Sequence, residues 1–160
     1  PPRSTLFPYT TLFRSRADLE IIHHPGGAAI VALDARRRVC LIRQFRHAAG
    51  GWIWELPAGK LEPREPPLET ARRELVEEAG AAAARWDALG PYVSSPGVFT
   101  ETVHLFLARE LTMAPTAHEP SELIEVHWLD LEQACADALA GTLSDGKTVV
   151  GLLRARARVG

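Results

Sequence analysis

Glu74, Glu77 and Glu78 stand at i, i+3 and i+4 within the stretch Gly59 to Ala81, GKLEPREPPLETARRELVEEAGA. On an α-helix that spacing projects all three carboxylates from one face. Like charges so placed repel, and each pair weakens an isolated helix slightly. No lysine stands at i+4 to relieve them; Arg72 and Arg73 are the nearby cations. The cluster becomes favourable when it holds hard divalent cations, which prefer carboxylate oxygens. Magnesium suits it, because it accepts few protein ligands together with waters and substrate phosphates. Without such a ligand the pattern is a solvated acidic helix face.

The helix that must carry these acids is predicted from about Pro67 to Ala79, with proline near its start and Gly80 as its C-terminal stop. Leu68, Leu75 and Ala79, with Ala71 between, form an apolar stripe able to dock on a sheet. Strand patterns surround it at Ala28 to Leu33, Val39 to Phe45, Trp52 to Leu56, Trp86 to Val93, Thr102 to Ala108 and Ile124 to Leu129. In the fifth of these, Thr102, His104 and Phe106 share one face and Val103, Leu105 and Leu107 the other. Asp34 to Arg38 reads as a hairpin connection, its arginine triplet as a solvated turn more than a phosphate patch. A second helix starts near Asp130, an N-cap, and runs to about Ala140; a third covers Lys147 to Ala157. Strands interleaved with helices predict an α/β fold with a mixed β-sheet sandwiched between helical layers.

The chain has 160 residues, enough for one domain with a real core. With 46% hydrophobic and 24% charged residues it resembles an ordinary globular protein. No apolar run nears the roughly 18 residues that span a bilayer. A net charge of −2 provides no basic field for nucleic acid. Cys40 and Cys135 both lie in apolar surroundings and read as small core residues, with a metal pair or a disulfide as the alternatives. These features predict a cytoplasmic protein with no membrane and no nucleic-acid partner. Residues 1–15, PPRSTLFPYTTLFRS, repeat Thr-Leu-Phe between Arg-Ser pairs and read as a translated cloning adapter. They lack the apolar core and cleavage site of a signal peptide. The division is then a leader at 1–15, an N-terminal segment at 16–27, truncated if the leader replaced native residues, and a catalytic domain at 28–160.

The 23-residue stretch resembles the Nudix box: glycine, five residues, Glu, seven residues, then Arg-Glu-aliphatic-any-Glu-Glu-any-Gly-aliphatic. Gly59, Glu65, Arg73, Glu74, Leu75, Glu77, Glu78 and Gly80 fill its fixed positions, and Ala81 is a small apolar stand-in for the last. The chain is thereby identified as similar to Nudix hydrolases, and the Nudix fold is the α/β/α arrangement expected. The resemblance implies that Glu74 and Glu78 are the main metal ligands, with Glu77 sharing the cluster. It implies that Arg73 orients the glutamates, that Glu65 supports the loop and in some members reaches a metal, and that Ala58 offers a backbone carbonyl to a metal. Gly59 and Gly80 are the permissive backbone positions. The implied cofactor is Mg²⁺, with Mn²⁺ as a substitute.

Three further features resemble the ADP-ribose pyrophosphatase branch. Leu41-Ile42-Arg43-Gln44-Phe45-Arg46 followed by Glu55-Leu56-Pro57-Ala58-Gly59 is the first, and it implies that Arg46, with Arg43 nearby, meets the diphosphate. A planar fork of donors suits phosphate oxygens. Pro96, sixteen residues beyond Gly80 and followed by Gly97, resembles the mark of ADP-sugar hydrolases. His118 to Glu125 and Asp145-Gly146-Lys147-Thr148 resemble C-terminal landmarks. The former is similar to a mobile loop bearing a catalytic glutamate, which makes Glu122 the first candidate for general base or further metal ligand and Glu119 the second. The implied reaction is Mg²⁺-dependent hydrolysis of ADP-ribose or a related ADP-sugar to AMP and a sugar phosphate, by a homodimer. The rival readings are hydrolysis of GDP-mannose, NADH or FAD, and a non-catalytic ligand-sensing Nudix domain.

Overall fold

The computed structural model describes residues 20–116 and 123–160. Glu119 and Glu122 therefore lie outside the described residues, as does the leader at 1–15. The elements run β1 (Gly27–Ala32), β2 (Arg38–Arg46), a 3-10 turn (His47–Ala49), β3 (Gly51–Glu55), β4 (Ala58–Lys60), α1 (Pro67–Ala79), β5 (Ala81–Val93), β6 (Thr102–Met113), β7 (Ile124–Asp130), α2 (Leu131–Leu139) and α3 (Gly146–Val159). The strands divide into two sheets. One is mixed, in the order β4-β1-β6-β5, with β1 and β6 parallel; the other is antiparallel, in the order β3-β2-β7.

Every residue of β1 is buried, because both of its faces are covered. Ala28, Ile30 and Ala32 pack with Ala71, Leu75 and Ala79 of α1. Val31 and Leu33 pack with Leu131, Ala134 and Cys135 of α2 and with Leu152 and Ala155 of α3. The uninterrupted apolar run of this strand thus corresponds to helices on either side. Gly151 of α3 lies so close to the end of the neighbouring strand that a methyl group on it would come within 2.5 Å of Leu56 Cδ1. Cys40 and Cys135 are free and buried, and burial pushes the Cys40 thiol up to about 12.

The caps explain where the helices stop and start. Gly80 closes α1 in the left-handed region at φ 60°, its N–H reaching the carbonyls of Leu75 and Val76. Asp130 caps α2 by accepting from Gln133 N, and Asp145 caps α3 by accepting from Thr148 N. At the β1–β2 connection Asp34 accepts from the N–H groups of Arg36 and Arg38 and pairs with the Arg38 side chain. Arg37 pairs with Glu132. Two members of the arginine triplet are thus engaged in ion pairs, Arg38 within the turn and Arg37 with α2.

Two strands exceed the lengths predicted from sequence by five residues each, and β2 and β7 by one or two. β5 begins at Ala81 and β6 runs to Met113, since the ladder pairs Ala81 with Met113 and Ala83 with Leu111. The alanines of this stretch have little strand preference of their own, and the partner strand overrides it. β4, three residues long, was not separable from the Leu-Pro-Ala-Gly turn in the sequence.

Candidate active site

A cleft of about 820 Å³ opens beside β4 and the start of α3. Its lining includes Ala58, Gly59, Arg73, Glu74 and Glu78, and also Arg46, Asp145, Gly146 and Lys147. Residues from opposite ends of the chain therefore meet in one cavity.

The acidic cluster is built by α1 leaning on β4. Glu78 is only 4% exposed, and its Oε2 accepts from Ala58 N at 2.7 Å. Glu74, one helical turn earlier, rests on the adjacent residue: a methyl group on Gly59 would lie 1.7 Å from Glu74 Oε1. Only a glycine admits the carboxylate there. Two glutamates at i and i+4 thus meet two consecutive residues of a strand.

Arg73 organises the rest. Its Nη1 donates to Glu74 Oε1 at 2.7 Å and to Glu77 Oε2 at 3.0 Å, and its Nη2 reaches Glu65 Oε2 at 3.4 Å. Burial works against its charge, but the hydrogen bonds and charges of Glu65, Glu74 and Glu77 prevail and raise its pKa. Glu65 also accepts from Thr70 Oγ1 at 2.7 Å and from Glu62 N at 3.3 Å, which ties the 62–65 loop to the first turn of α1. The bond from Arg73, then that from Thr70, holds the Glu65 carboxyl below its ordinary value.

The three clustered glutamates of α1 are not equivalent. Glu74 and Glu78 line the cleft, whereas Glu77 is 40% exposed, outside the lining, and bound to Arg73. Among the described residues no three His, Cys, Asp or Glu side chains converge as a ready ion site. The donors nonetheless fit magnesium in kind. Two hard carboxylates beside a strand backbone suffice for an ion that completes its octahedron with water and phosphate oxygens.

The other charged cluster centres on Glu55, whose side chain is 4% exposed. Its Oε2 accepts from Arg46 Nε at 2.8 Å and its Oε1 from Lys147 Nζ. Lys147 Nζ also lies 3.1 Å from Asp145 Oδ2. Thr148 Oγ1 accepts from Leu56 N at 2.8 Å and donates to Asp145 Oδ2 at 2.6 Å, fastening α3 to the end of β3. Near the rim Tyr92 is raised to about 12 by burial and by the charges of Asp145 and Glu101.

Some residues singled out in the sequence lie elsewhere. Arg43 pairs with Glu125 at 3.5 Å and sits 5.3 Å over the Trp52 ring, outside the cleft lining. Pro96 and Gly97 occupy the turn in which Ser95 O accepts from Val98 N and Phe99 N, and only the flanking Ser94 and Glu101 reach the cleft. Conversely, Glu55, Asp145 and Lys147 stood in the sequence only as parts of the Glu55–Gly59 and Asp145–Thr148 resemblances, with no individual role. The available signal was an acid at the end of the aromatic strand Trp52-Ile53-Trp54, just before the Leu-Pro-Ala-Gly turn.

The NUDIX domain family model matches residues 23–149 of this chain. An ADP-ribose pyrophosphatase of Mycobacterium tuberculosis is 36% identical over 141 residues, covering 86% of this chain and 68% of that protein. Another, of Bacillus subtilis, is 37% identical over 135 residues, covering 83% of this chain and 73% of that protein. A crystal structure of an ADP compounds hydrolase superposes with a TM-score of 0.75 over 84% of this chain and 72% of its own, at 21% identity, a likeness of fold. Motif, layering and relatives converge, and the chain belongs to the Nudix domain family.

Proposed function

We propose that this protein hydrolyses the diphosphate of ADP-ribose or a closely related ADP-sugar, releasing AMP and a sugar phosphate, with Mg²⁺ as its metal. One arrangement carries the reading: Glu74 and Glu78 seated on Gly59 and Ala58, in a cleft that also contains Arg46. Two relatives over 35% identical are ADP-ribose pyrophosphatases, which supports the choice of substrate.

Nudix hydrolases generally use divalent metal ions. Glu74, Glu78 and the Ala58 carbonyl are the groups that would hold the metal here, with Glu77 at the margin of the set. When bound, such an ion polarises a phosphoryl oxygen and lowers the pKa of a coordinated water. Arg73 restrains Glu74 and so limits the reorganisation needed for ligation. Arg46 binds diphosphate oxygens through its guanidinium fork. Glu122, or else Glu119, is the proposed general base that takes the proton of the attacking water.

A homodimer in the cytoplasm completes the reading. The exposed Trp52, edge-on to Phe45, which in turn meets His47, supports an intersubunit contact, and the two free cysteines support a reducing compartment. Incubation with ADP-ribose and Mg²⁺ should release AMP, at a rate lost to chelator and restored by Mg²⁺ or Mn²⁺. Absence of AMP from ADP-ribose and from a panel of ADP-sugars would refute the assignment.

A further inference from the structure

His24 lies where the N-terminal segment meets the turn that follows Pro96. Ile22 N–H donates to Val98 O at 2.8 Å, and Thr100 N–H donates to Ile22 O at 3.1 Å. His24 N–H donates to Thr100 Oγ1 at 3.0 Å, and that hydroxyl donates to His24 O at 3.4 Å. These bonds fix the backbone of His24 and leave the ring as the part that can change partners.

Two groups meet one ring nitrogen. Nδ1 accepts from Gly26 N–H at 3.1 Å, and the same Nδ1 lies 3.2 Å from Glu101 Oε1. Their demands are opposite: the amide needs the lone pair of Nδ1, whereas the carboxylate needs a proton on it. A neutral ring with its proton on Nε2 satisfies Gly26 and leaves Glu101 facing a lone pair. A proton on Nδ1 reverses this, and it is obligatory once the ring is charged. Gly26 is buried and its carbonyl is held by Leu61 N–H at 3.2 Å, so its amide cannot simply turn to water. The two arrangements exclude each other.

Histidine is the side chain that ordinarily changes charge between about pH 5 and 8. His24 and Glu101 both line the cleft. The other titratable groups of the lining near them are Tyr92, which feels the charge of Glu101, and Lys60 and Glu62, at and beyond the strand paired with Gly27. Phenols, amines and carboxyls ordinarily titrate outside that range. His23, the neighbouring imidazole, is outside the lining.

We propose that His24 is a positioning residue that acts as a proton-operated latch. Neutral, it closes the Pro25-Gly26 turn; charged, it pairs with Glu101 and offsets the negative charge on that wall of the cleft. The kinetic consequence rests on the diphosphate reading given above, but the exchange of partners does not.

Two measurements test it. Nitrogen NMR of the full chain from about pH 8 to 5.5 should show His24 Nδ1 gaining a proton while the Gly26 amide shifts and exchanges faster, along one titration curve. Steady-state kinetics with ADP-ribose and Mg²⁺ should show KM about threefold lower at about pH 6 than at about pH 8, because an anion enters a less negative cleft. Asparagine accepts from the amide two residues on, as in an Asx turn, but takes up no proton. His24→Asn should therefore keep the Gly26 bond and lose this pH dependence of KM. Glu101→Gln should flatten the profile as well, and the double variant should flatten it no further. A Gly26 amide that ignores the titration of His24 overturns the latch, and so does a His24→Asn profile that follows the wild type. A KM that rises on acidification, relative to His24→Asn, overturns it too. All three leave the hydrolase assignment standing. The spectra use the unaltered protein, so they decide the latch even if a variant fails to fold or no ADP-sugar is cleaved.

Discussion

The two charged clusters of the cleft are assembled by different means. The acidic one is local: Glu65, Arg73, Glu74 and Glu78 come from one loop and one helix, and they meet the neighbouring strand at Ala58 and Gly59. The cationic one is non-local, since Arg46 and Glu55 come from a hairpin and Lys147 from a helix near the other end of the chain. Their charge balance differs as well. Arg73 is a single cation pairing with three carboxylates, whereas Arg46 and Lys147 are matched by the two carboxylates of Glu55 and Asp145. The first cluster keeps surplus negative charge for a divalent ion, and the second, balanced overall, leaves only the partly exposed Arg46 guanidinium turned to the cleft. A site for a metal-bridged diphosphate needs both.

The sharpest way to separate the clusters is Glu78→Gln. Its loss should lower kcat by about a thousandfold, consistent with several kcal/mol of metal stabilisation in the transition state, and change KM little. Arg46→Ala should show the reverse pattern, a raised KM with kcat little changed, and equal kcat and KM effects from both variants would erase the distinction. Gly59→Ala comes next. The new methyl group would displace the Glu74 carboxylate, and kcat at fixed Mg²⁺ should fall about 10- to 100-fold with the melting temperature nearly unchanged. Titration with Mg²⁺ checks this, because the defect should lessen at high metal concentration.

Arg73→Lys keeps the charge but loses the planar fork that serves three glutamates, so the Mg²⁺ concentration for half-maximal activity should rise about tenfold. Thr148→Val addresses the other cluster. It leaves the Leu56 N–H without its acceptor in a buried setting, and urea unfolding should show a loss of about 1–2 kcal/mol. KM should rise with it, whereas metal dependence should not. The smallest effect concerns pH. The folded pKa of Glu65 is lowered from 4.5, so its contribution to stability is present above that value and is lost as the pH falls through the lower folded one. Acid unfolding of Glu65→Gln should lack that component.

The same contrast explains what was legible in the sequence. The bounds of α1 and the spacing of its glutamates are local properties, and Pro67 and Gly80 mark its ends without reference to the rest of the fold. The layering followed from the apolar run at Ala28 to Leu33 and the alternation at Thr102 to Ala108, both of which agree with burial in the structure. The unequal roles of the three glutamates were not legible, because helical spacing does not say which carboxylate a glycine on another strand will admit. Glu55 and Lys147 were invisible as a pair for a related reason: 92 residues separate them, and no local pattern encodes their meeting. The early start of β5 was hidden by alanines whose strand character comes from their partners.

Gly151 touches neither cluster, yet it lets α3 seat closely on the residue between them. With no side chain to interpose, α3 settles almost backbone to side chain on Leu56, whose neighbours on either side are Glu55 and the Pro57-Ala58-Gly59 turn. The residue works as a shim of zero thickness: anything larger would have to push aside the buried Leu56 side chain, in the stretch that joins Glu55 to Ala58 and Gly59.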